Sequence, residues 1–235
     1  MKIEILFPEV CSLFGDSANI RYLKQNLPEA EFIETSLNDE PTFVKEKVSL
    51  IYMGSMTEGT QEKVIEKLTP YKQRIEFLIE DNIPFLFTGN SMEVLGKYIL
   101  KDDESKIPGV GILDIYAKRD MFNRYNGLVL GKFNEIEIVG FKSQFTQIYA
   151  NNSILYFMKV ERGIGINKQT DLDGIKINNF IGTQLLGPIL IINPLFTKYL
   201  FKIIGIEKKE LYYEKEAIEA YEQRLKEYKN ENIKF

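Results

Sequence analysis

The stretch FTGNSMEVLG, residues 87–96, follows the apolar run Ile83-Pro84-Phe85-Leu86-Phe87. That run reads as a buried strand, the glycine as a tight turn, and Ser91 or Met92 as the opening of a helix. Many α/β enzymes use a strand, a sharp turn and a helix to hold a nucleophile at the tip of a sheet. Here the tip is Gly89, which has no side chain. Two other nucleophile types stand near. Ser91 lies two residues on, where capping or packing of a first helical turn competes with any catalytic use. Cys11, the sole cysteine, falls in the first strand-to-helix loop, either as a relocated nucleophile or as a small buried hydrophobe.

The chain has no histidine. That removes the commonest general base near neutral pH and the commonest transition-metal ligand. Ser-His, Cys-His and His-metal mechanisms supplied by this chain alone are excluded. A single cysteine also excludes an intrachain disulfide and a cysteine-built zinc site. Neither a metal nor a cofactor is expected.

The elements that would position these residues are legible in outline. Residues 2–7, 30–35, 48–53 and 83–87 read as strands. Between them Asp16-Ser17 caps a helix carrying Ile20, Leu23 and Leu27, and Thr57 caps a second helical segment reaching about Asp81. Thr69-Pro70 divides that segment, with Thr69 as cap and Pro70 at the first helical position. Strands alternating with helices predict a parallel sheet covered on both faces. After Gly109 the texture changes: 112–118, 127–132, 135–141 and 154–160 look like strands joined by turns. Residues 208–228 read as a charged helix whose stripe, Ile218, Tyr221, Leu225 and Tyr228, either covers its own fold or docks a partner. No repeat or linker interrupts residues 1–235, which are expected to form one domain, with the helix at about 207–229 packed on it or docking a partner.

A net charge of −4 without a basic stripe argues against nucleic acid. The start lacks a signal-peptide pattern, which predicts a cytoplasmic product. The apolar stretch 187–206 is broken by Pro188, Asn193, Pro194, Lys198 and Lys202, and reads as protein core, with no membrane insertion.

Four segments together resemble the CobB/CobQ-like class I glutamine amidotransferases, above all the small subunits that work with a Mur-ligase-like protein on lipid II. They are Leu13-Phe14-Gly15-Asp16-Ser17-Ala18-Asn19; Gly54-Ser55-Met56-Thr57-Glu58-Gly59-Thr60-Gln61; Gly89-Asn90-Ser91-Met92-Glu93-Val94-Leu95-Gly96; and Gly182-Thr183-Gln184-Leu185-Leu186-Gly187-Pro188. Their order spans nearly the whole chain. The resemblance implies a Rossmann-like central parallel sheet flanked by helices, with an antiparallel β extension.

Carried over position by position, the resemblance puts the family's nucleophilic cysteine on Gly89 and its catalytic histidine on Leu186. A second family histidine falls on Gln144. Thiolate attack on a carboxamide, with a base to activate the thiol, then has neither participant. The family's oxyanion hole draws on backbone N–H groups, here from the Gly54-Ser55-Met56 region and Asn90, which do not depend on side-chain identity. A ligand-binding remnant is therefore expected at Gly54, Ser55, Glu58, Asn90 and Glu93, for a small amino-acid-like ligand, unless Met56 plugs it. Asp16 and Asn19 either form a turn and helix cap or contact a partner.

The expected function is a non-catalytic subunit or regulator of a ligase-type, plausibly Mur-ligase-like, partner in cell-wall precursor amidation. The alternatives are an amidotransferase subunit of a cobyric-acid-synthase-like or lipid II-amidating enzyme using non-standard chemistry, and a small-molecule sensor.

Overall fold

The structure, a computed structural model, describes residues 1–150, 155–207 and 209–234. The first half runs β1 (Lys2–Leu6), α1 (Asp16–Asn26), β2 (Glu31–Thr35), β3 (Leu50–Met53), α2 (Glu58–Leu68), α3 (Lys72–Glu80) and β4 (Phe85–Thr88). A 3₁₀ segment, Gly89–Leu95, follows. Then come β5 (Tyr98–Leu100), β6 (Lys106–Pro108), β7 (Ile115–Arg119), β8 (Tyr125–Phe133), β9 (Ile136–Gln144) and β10 (Thr146–Ala150). The last part holds β11 (Met158–Arg162), β12 (Leu172–Asp173), β13 (Ile175–Ile177), β14 (Phe180–Thr183), α4 (Ile189–Ile192), α5 (Pro194–Ile203) and α6 (Glu214–Lys229).

The central sheet has the order β13-β14-β4-β3-β1-β2. Its five strands from β14 to β2 are parallel, and β13 closes the edge antiparallel to β14. Alternating side chains feed two cores. Ile51, Met53, Phe85 and Phe87 pack with Val64, Leu68, Ile75 and Leu78 of α2 and α3. Leu50, Tyr52 and Leu86 pack with Ile20 and Leu23 of α1 and with Phe196 and Leu200 of α5. Strands buried on both faces carry continuous apolar runs for this reason. Two four-stranded sheets, β10-β7-β5-β6 and β12-β11-β8-β9, form the extension.

Several local expectations change. The segment after β4 is a 3₁₀ spiral beginning at Gly89 itself, and no α-helix opens at Ser91 or Met92. Thr57 caps α2 by accepting the Thr60 N–H at 3.2 Å. Thr69, expected to do the same for α3, instead donates its hydroxyl to the Ile65 carbonyl at 2.7 Å, closing α2. Asp16 opens α1, but its carboxylate points away to a different task, and the cap position is Gly15. The predicted strand at 154–160 begins outside the described residues, and the observed strand is Met158–Arg162. Lys208, the predicted start of the last helix, is also outside them, and that helix begins at Glu214.

The apolar stretch 187–206 folds into the short α4 and α5 and buries Leu190, Phe196, Leu200 and Phe201. Among the described residues no helix is long and apolar enough to cross a membrane. The stripe on α6 covers its own fold: Tyr221, Leu225 and Tyr228 pack on Leu130 and Val139, and the Tyr221 hydroxyl donates to the Glu137 carbonyl at 2.8 Å. Arg162 pins the helix end through the carbonyls of Tyr228 and Asn230.

Candidate functional site

β3, β4 and β14 are parallel neighbours and end together, so Gly54, Gly89 and Gln184 meet at one edge of the sheet. That is where open α/β sheets bind ligands. Behind them lies Asp16, fully buried. Its carboxylate accepts the Ser55 N–H at 2.7 Å and the Ser55 hydroxyl at 2.5 Å. It also accepts the Thr88 hydroxyl at 2.8 Å, the Tyr52 hydroxyl at 3.1 Å and the Gly187 N–H at 3.1 Å. Burial pushes its pKa above the ordinary carboxylate value, opposed by these hydrogen bonds. One carboxylate thus ties together three of the four sequence segments singled out above and holds Thr88, the residue just before the fourth.

Asn19 is equally buried, donating to the Tyr52 hydroxyl and accepting the Leu190 N–H, both within 3.1 Å. Direct contact of Asp16 and Asn19 with a partner is therefore corrected: both side chains are internal and engaged.

Gly89 has φ +64° and donates its N–H to the Leu185 carbonyl at 3.0 Å. Glycine enters this left-handed region without penalty. A Cβ at this position would stand 2.5 Å from the Ser55 Cβ and 3.2 Å from Leu186 Cδ2. Leu186 therefore faces Gly89, as the resemblance requires of the two positions it pairs.

The loop donors are occupied. Ser55 gives its N–H to Asp16, and Met56 gives its N–H to the Asn90 side-chain oxygen at 3.0 Å. Asn90 Nδ2 returns a hydrogen bond to the Met56 carbonyl at 2.8 Å. The expected anion site at Ser55 and Met56 is therefore corrected: both N–H groups are spent within the protein. Gly54 does not line the cavity either. Its Cα packs so closely that a Cβ would meet the Cys11 carbonyl at 2.4 Å.

A cavity of about 190 Å³ opens over Gly89. Ser55, Glu58, Asn90, Glu93, Gln144 and Leu186 line it, as does Met56, which narrows the space without filling it. Glu93 forms part of the floor. It accepts a short hydrogen bond from Thr146 Oγ1 and a second from Gln61 Nε2 at 3.0 Å. Gln61 Oε1 in turn accepts from the buried Arg119 at 3.0 Å. Desolvation raises the Glu93 pKa to about 7, while Thr146, Gln61 and Arg119 oppose that rise.

Sequence reasoning missed Gln184, Thr146 and Arg124, which also line the cavity. Gln184 lay inside a quoted segment without being singled out. Thr146 and Arg124 gave no sequence signal.

Cys11 is buried away from the cavity, its Sγ 3.9 Å from Met56 Sδ. Burial pushes its thiol far above the usual range, so it is the small-hydrophobe reading that fits. Ser91 donates its hydroxyl to the Thr88 carbonyl at 2.7 Å within the 3₁₀ turn, a packing role. Among the described residues no three metal-ligating side chains gather.

A family model for the CobB/CobQ-like glutamine amidotransferase domain matches residues 2–191. The chain belongs to that family. Among curated proteins, this amidotransferase-like chain is 29% identical over 211 residues to the lipid II isoglutaminyl synthase (glutamine-hydrolyzing) subunit GatD of Staphylococcus aureus, covering 85% of each. It is 21% identical over 231 residues to the protein of the same name from Streptococcus pneumoniae, covering 96% of this chain and 87% of the other. Two solved structures share the fold. PurLQS of Thermotoga maritima superposes with TM-score 0.56 at 12% identity, covering 95% of this chain and 98% of the other. A glutamine amidotransferase of the same organism gives 0.54 at 14%, covering 96% and 92%.

Proposed function

We propose that this CobB/CobQ-like chain is a glutaminase-deficient subunit that binds and regulates a ligase-type partner, Mur-ligase-like, in the amidation of a cell-wall precursor. The pathway and the expectation of a partner subunit come from its two GatD relatives, named as subunits of a lipid II isoglutaminyl synthase, and the Mur-ligase-like nature of that partner from the family resemblance. The reading treats residues 1–235 as one amidotransferase-like domain acting in the cytoplasm.

The observation that carries the non-catalytic part is the state of the loop donors. Ser55 and Met56 have both committed their N–H groups, to Asp16 and Asn90. Electrostatic stabilisation of a developing oxyanion is usually the largest single contribution to acyl transfer. In this chain two of its donors are withdrawn along with the thiol at position 89 and the imidazole at position 186. Each loss alone would leave more of the machinery standing than the losses together.

Glutamate release from glutamine by the purified protein, with and without its co-purifying partner, is the test. Background release supports the reading. Robust release that vanishes in Cys11→Ser would make Cys11 the nucleophile and overturn it. Affinity purification at native expression checks the partnership, and should recover a ligase-like protein in near-equal amount.

A further inference from the structure

β8 and β11 pair antiparallel, and their register sets Lys132 directly opposite Lys159. Residues so placed share one face of the sheet, and like charges directly opposite each other destabilise the pairing. On its other side Lys132 faces Glu137 of β9, but that carboxylate is taken by Lys229 at 2.6 Å. The relief that the two lysines do have comes from the rim. Glu135 reaches Lys132 at 3.1 Å, and Asp171 reaches Lys159 at 3.5 Å. Both carboxylates are exposed, and exposed ion pairs contribute little.

A third lysine, Lys176 of β13, is half-buried. Its ammonium donates to the Asn178 carbonyl, and among the described residues it forms no ion pair. Burial lowers its pKa below the ordinary lysine value, with no carboxylate to oppose the change. The three side chains line one concave groove of about 440 Å³, a volume within the range of small-molecule sites. A single carboxylate, Glu161, lines it with them, and among the described residues no arginine does. The buried Phe133 and Phe157 and the half-exposed Tyr156 give the groove an apolar side. It shares no lining residue with the cavity over Gly89.

The ligand-free protein therefore carries two independent costs here: an opposed pair of cations, and a cation withdrawn from water without a counter-charge. One bound anion relieves both. The donors say which anion. Arginine's flat fork matches the paired oxygens of a carboxylate, whereas lysine is a point charge with three donors that turn freely. Three lysines around one hollow suit oxygens set in a tetrahedron. A phosphate monoester brings three acceptor oxygens and about two negative charges near neutral pH.

We propose that this groove binds the phosphate or pyrophosphate end of an organic ligand, held by Lys132, Lys159 and Lys176, with its apolar part against Phe133, Phe157 and Tyr156. The site does not depend on the proposed function.

The test is calorimetry of the full chain at low salt with inorganic pyrophosphate, and with citrate as the carboxylate comparison. Co-sedimentation with vesicles of phosphatidylcholine, with and without phosphatidic acid, separates a lipid headgroup from a soluble phosphate. Pyrophosphate should bind at least tenfold tighter than citrate and raise the Tm. Lys176→Met should weaken binding at least tenfold without lowering the Tm of the ligand-free protein. Lys159→Glu sets an acid opposite Lys132, so binding should fall as far while the ligand-free Tm holds. Lys63→Met, on the exposed side of α2, should leave binding unchanged. Retention on phosphatidic acid vesicles that Lys176→Met abolishes supports the proposal and makes the ligand a lipid phosphate. Pyrophosphate binding without vesicle retention supports it with a soluble one. Binding of neither probe overturns it. So does citrate binding as tightly as pyrophosphate, or a loss as large in Lys63→Met as in the groove variants, since either would mean general attraction of anions.

Discussion

The Ser55 Cβ lies 2.5 Å from the point that a Cβ on Gly89 would occupy. The two residues exclude one another: a side chain at 55 requires none at 89. Real Cβ atoms do not approach so closely, so restoring a thiol at the turn is a packing problem before it is a chemical one.

Gly89→Cys should therefore destabilise the protein. Positive φ costs a non-glycine residue about 1–3 kcal/mol, and overpacking adds a cost of similar size. Ser55→Gly removes the obstructing Cβ, so a double-mutant cycle should show coupling of at least about 1 kcal/mol. Urea denaturation of the four proteins measures it, and strictly additive losses would contradict the contact. Glutamate release by Gly89→Cys alone should stay at background.

Asp16→Ala should cost about 3 kcal/mol or more, since it leaves the Ser55 and Gly187 N–H groups and nearby hydroxyls without an acceptor. The denaturation midpoint is the readout. Asp16→Asn should lose less, because one oxygen remains. A variant of normal stability that had lost only its partner would restore the surface-contact reading of this residue.

Glu93 predicts a pH dependence of stability. Its folded pKa of about 7 lies above the ordinary value of 4.5, so the folded protein holds a proton that the unfolded chain has released. The resulting stability is fully present below pH 4.5 and is lost as pH rises through 7, with the sum over that window reaching about 3 kcal/mol. The groups acting on Glu93 are Thr146, Gln61, Arg119 and Glu58. Glu93→Gln should flatten the Tm profile over this range and be the more stable protein at pH 8. An unchanged slope would mean that Glu93 titrates normally.

Cys11 should resist alkylation in the folded protein and react fully in urea, because it is buried and its thiolate is disfavoured. Mass spectrometry after iodoacetamide treatment gives the labelled fraction. Rapid labelling under native conditions would contradict the packing of its loop.

The parallel half of the fold was legible because its strands are buried on both faces and its helices carry spaced apolar residues and a working cap at Thr57. β14 was not, though it pairs with β4 in the centre of the sheet: four residues between turns give no period to read. The juxtaposition of Gly89 and Leu186 followed from aligned segments. What Asn90 does with its side chain did not, because its partner, Met56, is 34 residues away in the chain. Gln184 was in view, yet a buried amide without a hydrogen-bond partner among the described residues is recognisable only once its surroundings are known. The 3₁₀ form of Gly89–Leu95 was hidden for a similar reason. Its side chains are committed to partners outside the segment, such as Gln61 and Thr146 for Glu93, and these override helix propensity.

The carboxylate of Asp16 joins chain positions separated by 39, 72 and 171 residues. Loops of such length must close before any of these bonds forms, which places the cluster late in folding, after the local helices and hairpins. Once formed, the cluster shares one acceptor, so displacing Asp16 frees Ser55, Thr88 and Gly187 together. The amide protons of Ser55 and Gly187 should then exchange with solvent only when the whole molecule unfolds, which makes them two slow clocks for its global stability.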